Sequence, residues 1–219
     1  MYHVVALPCV FAPLRLCVEM SRRPVDLLAL GIFAALSYTV TQGYTLRYDQ
    51  SISQWVEGWG SPRLDQLVLA ITHCGDTLTL VAFSVLLSAL LFWGMRRKRA
   101  ALAMLMITGL SYALDNTLKI IFARPRPQLS TLFVDPSSYS FPSGHAMNST
   151  AIYGCAALLL SQSFPRRRRL LCASAAILAV LIGTSRIYLD AHWPSDVLAG
   201  FAAGWILLSA VRWFQPAPR

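Results

Sequence analysis

Apolar residues gather in six long runs, separated by short polar and charged stretches: Val25–Leu46, Thr77–Met95, Ala100–Phe122, Ala146–Phe164, Leu170–Ile187 and Trp193–Phe214. Each approaches the roughly 20 mostly apolar residues that a helix needs to cross a hydrocarbon layer. Between the first two runs the pattern changes. Ile52, Trp55, Val56 and Trp59 recur at i, i+3, i+4, i+7, and after Pro62 so do Leu64, Leu67, Val68 and Ile71. That periodicity predicts two short amphipathic helices lying in the membrane interface, with Trp at headgroup depth. They would cover the top of the bundle, line a route for lipid, or both. The expected architecture is therefore all-α: an integral membrane six-transmembrane-helix bundle with short interfacial helices between spans 1 and 2.

Residues 25–214 read as one bundle, with no internal repeat and no low-complexity linker. Residues 1–24 hold Pro8 and Pro13, which break a long helix, and Arg22 and Arg23 follow the apolar stretch rather than precede it. This stretch is read as a membrane-surface segment, with Met20 as an alternative start, and 215–219 as a tail. Composition supports the membrane assignment. The 219 residues are 56% hydrophobic and only 13% charged, with a mean hydropathy of +0.52. A soluble domain carries about 25% charged residues, and a disordered chain is less apolar still. Cys9, Cys17, Cys74, Cys155 and Cys172 show no CxxC pairing and read as small apolar residues, with no zinc site or disulfide framework.

The net charge of +9 could suggest nucleic acid, but the cations follow the loops instead. Thirteen lie on one side: Arg15, Arg22, Arg23, Arg96, Arg97, Lys98, Arg99, Arg166 to Arg169, Arg212 and Arg219. The other side has six: Arg47, Arg63, Lys119, Arg124, Arg126 and Arg186. Cytoplasmic loops carry the excess of Lys and Arg, so both termini are expected inside. Four of the six outer cations end spans 3 and 5, where the charge rule disfavours them. An anionic ligand would account for them.

Three polar clusters fall on that outer side. Lys119 to Pro127 closes span 3; Arg126 offers a planar fork for phosphoryl oxygens and Lys119 a compact charge. Asp115, at i−4, is placed to orient and neutralise Lys119, while Arg124 has two destinations open to it, lipid headgroups or the pocket. Tyr139 to His145 opens span 4. There Ser143 is an N-cap type, Gly144 permits close approach to the backbone, and the first helical turn is an anion site with His145 beside it. Ser185 to Asp196 joins spans 5 and 6. His192 and Asp196, four apart, share one helix face, so the carboxylate can fix the imidazole tautomer and free the other nitrogen to attack; Arg186 reaches the same point. His3 and His73 have no such partner in the sequence.

Lys119-x6-Arg126-Pro127, Pro142-Ser143-Gly144-His145 and Ser185-Arg186-x5-His192-x3-Asp196 follow in order over about 78 residues. Together they resemble the type 2 phosphatidic acid phosphatase family, which includes prenyl diphosphate phosphatases, glucose-6-phosphatase and the vanadium haloperoxidases. The resemblance implies His192 as nucleophile through a phosphohistidine, Asp196 as its orienter, and His145 as acid and then base. It also implies that Lys119, Arg126, Arg186, Ser143 and Gly144 hold the phosphate. The motifs contain no carboxylate cluster for a divalent cation, so no metal and no cofactor are expected. Both imidazoles are expected to titrate near neutral pH and give a bell-shaped rate profile. The expected partners are a lipid phosphate and the bilayer, in a bacterial inner membrane with the site extracytoplasmic. Undecaprenyl diphosphate is the leading substrate, with phosphatidate and phosphatidylglycerol phosphate as alternatives. A non-catalytic lipid-phosphate binder or transporter is the alternative of another class.

Overall fold

The computed structural model describes residues 23–127 and 138–213, and the described residues are helical with short connections. Residues 1–22 of the N-terminal surface segment, with Met20, His3, Cys9 and Cys17, and the C-terminal tail lie outside them, while Arg23 and Pro24 already belong to the first helix. In chain order the helices are α1 (Arg23–Thr41), α2 (Leu46–Glu57), α3 (Pro62–His73), α4 (Thr77–Ala89), α5 (Lys98–Phe122), α6 (Gly144–Ser163), α7 (Arg168–Tyr188) and α8 (Pro194–Trp213). A π turn, Leu90–Gly94, finishes α4. The first apolar run does not continue to Leu46. Gly43 turns the chain with φ +74, and Leu46 starts the first interfacial helix instead.

Among the described residues, five stretches are long and apolar enough to cross a membrane: Pro24–Thr41, Thr77–Gly94, Lys98–Phe122, Pro165–Tyr188 and Pro194–Val211. The protein is thus a multi-pass membrane protein. Helix α6, expected as span 4, is 20 residues long but is not among them. Asn148, Ser149, Thr150, Ser161 and Gln162 dilute its apolar content. Its environment explains that composition: α6 is packed between α5, α7 and α8, and most of its residues are buried. A helix faced by protein on all sides has no need of a lipid-compatible surface. The outer helix α1 shows the opposite pattern, with Leu27, Leu28 and Leu30 exposed.

Leu80, Leu91, Met104, Ile107, Met147, Ile152, Leu159 and Leu207 form the core between α4, α5, α6 and α8. Close approach of α6 and α8 depends on Gly200 and Gly204. A Cβ on Gly200 would lie 2.6 Å from the Ser143 carbonyl oxygen, and one on Gly204 2.5 Å from that of Met147. This small-x3-small spacing is a usual way to bring membrane helices into backbone contact. It also sets the start of α8 against the start of α6, where Ser143 N–H donates to the Asp196 carbonyl at 3.0 Å. At the opposite end of α6, Arg97 donates to the Leu159 carbonyl at 2.7 Å and to Ser163 Oγ at 2.8 Å. A cation there satisfies the last carbonyls and opposes the negative end of the helix dipole.

Candidate active site

Four helix termini and one loop meet at the end of the bundle away from Arg97 and the Arg166–Arg169 turn: the end of α5, the starts of α6 and α8, the end of α7, and the α3–α4 loop. Every described cluster singled out in the sequence lies here. Ala123, left-handed with φ 44, ends α5 and redirects the chain. Arg126 then reaches across to the α7–α8 loop. Its Nη1 donates to the Ala191 carbonyl at 2.7 Å and to His192 Nε2 at 3.2 Å, and its Nε donates to the Ser138 carbonyl at 3.0 Å. Lys119 Nζ donates to Asp115 Oδ2 at 2.9 Å within α5. Asp115 in turn packs under Gly144, where a Cβ would sit 2.6 Å from Oδ2. Gly144 is therefore required by a close approach, here that of the Asp115 side chain.

His192 is 2% exposed. Burial and the charges of Arg126, Arg186 and Lys119 hold its imidazole well below the ordinary histidine range, so the ring is neutral. This corrects the expectation that both site histidines titrate near pH 7. Because Arg126 donates to Nε2, the lone pair sits on that nitrogen and the ring proton on Nδ1. The expected hydrogen bond from Nδ1 to Asp196 is not closed: Oδ2 lies 3.6 Å away. Asp196 is otherwise engaged. Its Oδ2 accepts the Trp193 N–H at 3.0 Å, a reciprocal cap at the start of α8, and its Oδ1 accepts from Arg124.

Arg124 does not face headgroups. It is buried, and it donates to Asp196, to Ser195 Oγ at 2.8 Å and to Asp49 Oδ2 at 2.7 Å. Asp49, from α2, also accepts from Ser195 N–H at 2.9 Å and Ser195 Oγ at 2.7 Å. An interfacial helix thus reaches the catalytic end of α8 through a buried carboxylate and guanidinium. Sequence reading missed Asp49 because its partners lie 75 and 146 positions away.

Arg186 is buried and donates to Thr72 Oγ1 at 2.9 Å, tying α7 to α3. Its Nε and the Ser143 Oγ have no protein partner although both are buried. Buried donors are nearly always satisfied, so these two are suited to an anion. His145 Nε2 donates to Asp76 Oδ1 at 3.1 Å, and the other oxygen of Asp76 accepts from His73 Nδ1 at 2.7 Å. His73 therefore has a partner after all. Neither Asp76 nor Thr72 was visible in the sequence motifs. Among the described residues, no three His, Cys, Asp or Glu converge as metal ligands would.

Residues 100–219 match the PAP2 superfamily. This chain belongs to that family. It is 33% identical to phosphatidylglycerophosphatase B of Bacillus subtilis over 88% of this chain and 95% of that protein. It is 31% identical to an undecaprenyl-diphosphatase of Sulfolobus acidocaldarius over 57% of this chain and 60% of that one. The crystal structure of a transmembrane PAP2-type phosphatidylglycerolphosphate phosphatase from Bacillus subtilis superposes with a TM-score of 0.80 at 32% identity, covering 86% of this chain and 94% of the other. The PAP2 protein described here is accordingly an enzyme of the phosphatase class.

Proposed function

We propose that this PAP2 protein hydrolyses the phosphate monoester or diphosphate of a membrane lipid at the outer leaflet, through a phosphohistidine. The supporting observation is the surroundings of His192 Nε2: a neutral, buried imidazole beside Arg126, within the field of Lys119 and Arg186. In the first step Nε2 bonds to phosphorus as the bond to the leaving oxygen breaks. Lys119, Arg126, Arg186, Ser143 Oγ and the Gly144 N–H hold the equatorial oxygens, and the charge that His192 gains is offset by Asp196. Incoming phosphate would take over the guanidinium edge of Arg126 that now covers Nε2. His145, protonated once the phosphate anion joins Asp76 in offsetting burial, Arg186 and Lys119, gives its proton to the leaving oxygen. In the second step it recovers a proton from water as that water's oxygen bonds to phosphorus and the N–P bond breaks. The proton count at His145 returns to its starting value.

Three fixed cations supply the charge that metal ions supply in other phosphoryl-transfer enzymes. Activity should therefore survive excess EDTA and gain nothing from added Mg²⁺; loss with EDTA and return with Mg²⁺ would contradict the scheme. The lipid class is supported by a site at the end of a bundle of apolar helices and by the exposed aromatics Trp55 of α2 and Trp59 just after it. Of the lipids considered, phosphatidylglycerol phosphate is the one named for the relative matched along nearly its whole length, and undecaprenyl diphosphate for relatives matched over shorter stretches. Phosphate release by purified protein from these two, from phosphatidate and from a soluble sugar phosphate decides among them. Release from none would favour a non-catalytic binder, although a binder has no use for a neutral buried imidazole.

We also propose that α6 is the sixth span. Helix α5 ends at the site, α6 starts there, and α7 starts at the opposite, arginine-rich end; α6 therefore covers the same depth as its neighbours, about 30 Å for 20 residues. With the arginine-rich loops cytoplasmic, both termini are inside a bacterial inner membrane and the site is outside. Cysteine accessibility at positions 98 and 139 tests that orientation.

A further inference from the structure

Asp76 occupies the N-cap position of α4, where a carboxylate ordinarily accepts a hydrogen bond from the first turn. Here it makes no side-chain cap. One oxygen accepts from His145 Nε2 at 3.1 Å and the other from His73 Nδ1 at 2.7 Å. The loop is built for this approach. A Cβ on Gly75 would lie 2.8 Å from His145 Cδ2 and 2.4 Å from Ile182 Cγ2, so a side chain at position 75 would drive the loop off the imidazole. Burial raises the Asp76 pKa, but the bonds from His73 and His145 outweigh it, and the carboxyl stays below its ordinary value, charged.

With Nε2 held by Asp76, Nδ1 is the nitrogen of His145 left for the reacting oxygen. The charged groups acting on His145 are Asp76 from the α3–α4 loop, Arg186 from α7 and Lys119 from α5. Those acting on Asp76 are His73 and His145, and Asp76 in turn acts on Arg186 and Tyr112. Burial and these two cations thus oppose an imidazolium at position 145, and a single carboxylate supports it.

We propose that Asp76 is the positioning residue of the proton donor: it fixes the His145 ring and partly offsets what opposes its charged form, with His73 anchoring Asp76 from the solvent side. This rests on the phosphatase reading above. It assigns catalytic consequence to the α3–α4 loop, which none of the three motifs includes.

The test compares purified wild type and Asp76→Asn on dioctanoyl phosphatidate, phenyl phosphate and 4-nitrophenyl phosphate. Asn keeps the size and loses the charge. A poorly positioned acid costs most where the leaving oxygen most needs a proton. The expected loss in kcat is about 10- to 100-fold on the alkyl phosphate and under about threefold on the nitrophenyl ester, with phenyl phosphate between. The alkaline limb of the rate profile should move to lower pH, since an imidazolium without its carboxylate loses its proton sooner. Asp76→Glu should recover part of the alkyl phosphate rate. Equal losses on all three substrates with an unmoved alkaline limb would make Asp76 merely structural and overturn the proposal. If Asp76→Asn does not fold, His73→Ala decides, because His73 is 68% exposed in its side chain: a smaller split of the same sign supports the role, and no split overturns it. Wild type that releases no phosphate from any of the three overturns this proposal together with the phosphatase reading.

Discussion

His192 and His145 face the same group of cations but are held in opposite ways. His192 is closed off from water, and the carboxylate on its own helix face stands 3.6 Å from Nδ1, already committed to Arg124 and the Trp193 N–H. His145 meets its carboxylate at 3.1 Å, and that carboxylate reaches solvent through His73. The first environment favours a neutral ring with an available lone pair. The second gives a ring a negative partner and a fixed orientation. On the proposed mechanism, the fold suits two imidazoles to different parts of phosphoryl transfer by where it places carboxylates, not by the residue type.

The sharpest test of that contrast is loss of each ring. His192→Ala should lower turnover by roughly 10⁴-fold or more and abolish acid-labile labelling by ³²P substrate. His145→Ala should still label with 4-nitrophenyl phosphate, because its leaving group departs without a proton. Labelling in the first variant would exchange the roles. Next in size is Arg124→Gln, which leaves Asp196 and Asp49 facing each other without their shared cation. Removing one partner from a buried charge network costs about 3–5 kcal/mol, so denaturant titration in detergent should show a drop of that order. The kcat should fall with it, because Asp196 is no longer held. An unchanged midpoint would mean that the α2–α8 link does not matter to the fold.

A finer test is the acid limb of kcat/KM. His192 is held below the ordinary imidazole range by burial and by Arg126, Arg186 and Lys119. Its lone pair therefore remains available as pH falls through about 6.5. The limb from His192 should lie below that value and rise toward it in Arg126→Gln, where one repelling charge is gone. An acid limb that does not respond to Arg126 would remove His192 from that titration. The smallest effect on activity belongs to the far end. Arg97→Ala gives up the bonds to Leu159 and Ser163 and should cost about 1–3 kcal/mol of stability with kcat unchanged. A large activity loss there would mean that the two ends of α6 are coupled.

Much of this arrangement was written locally. The run lengths place α1, α4, α5, α7 and α8 as membrane-crossing elements, the i, i+3, i+4 spacing places α2 and α3, and both amphipathic helices are present. Lys119 and Asp115, four apart on α5, meet as helix geometry requires. His192 and Asp196 share a face for the same reason, but i, i+4 spacing sets only proximity. It does not say what else competes for the carboxylate, and here a cap and a guanidinium do. The place of Arg124 stayed open in the sequence because a cation near a membrane edge has two destinations, and only packing selects one. The low apolarity of α6 is legible once its neighbours are known, since a helix shielded by protein is released from the demands of lipid.

What the sequence by itself determined is the part with a period or a short spacing: apolar runs, amphipathic faces, the charge asymmetry between loops, and motif residues within one or two helical turns. Tertiary structure alone decided which distant carboxylates reach the site. Asp49 and Asp76 sit 75 and 69 positions from Arg124 and His145, and no local pattern records such pairs. Gly200 and Gly204 let α8 close on α6, and Gly75 lets the loop that carries Asp76 touch an imidazole. Those contacts depend on how near two backbones can come once all the helices are packed together.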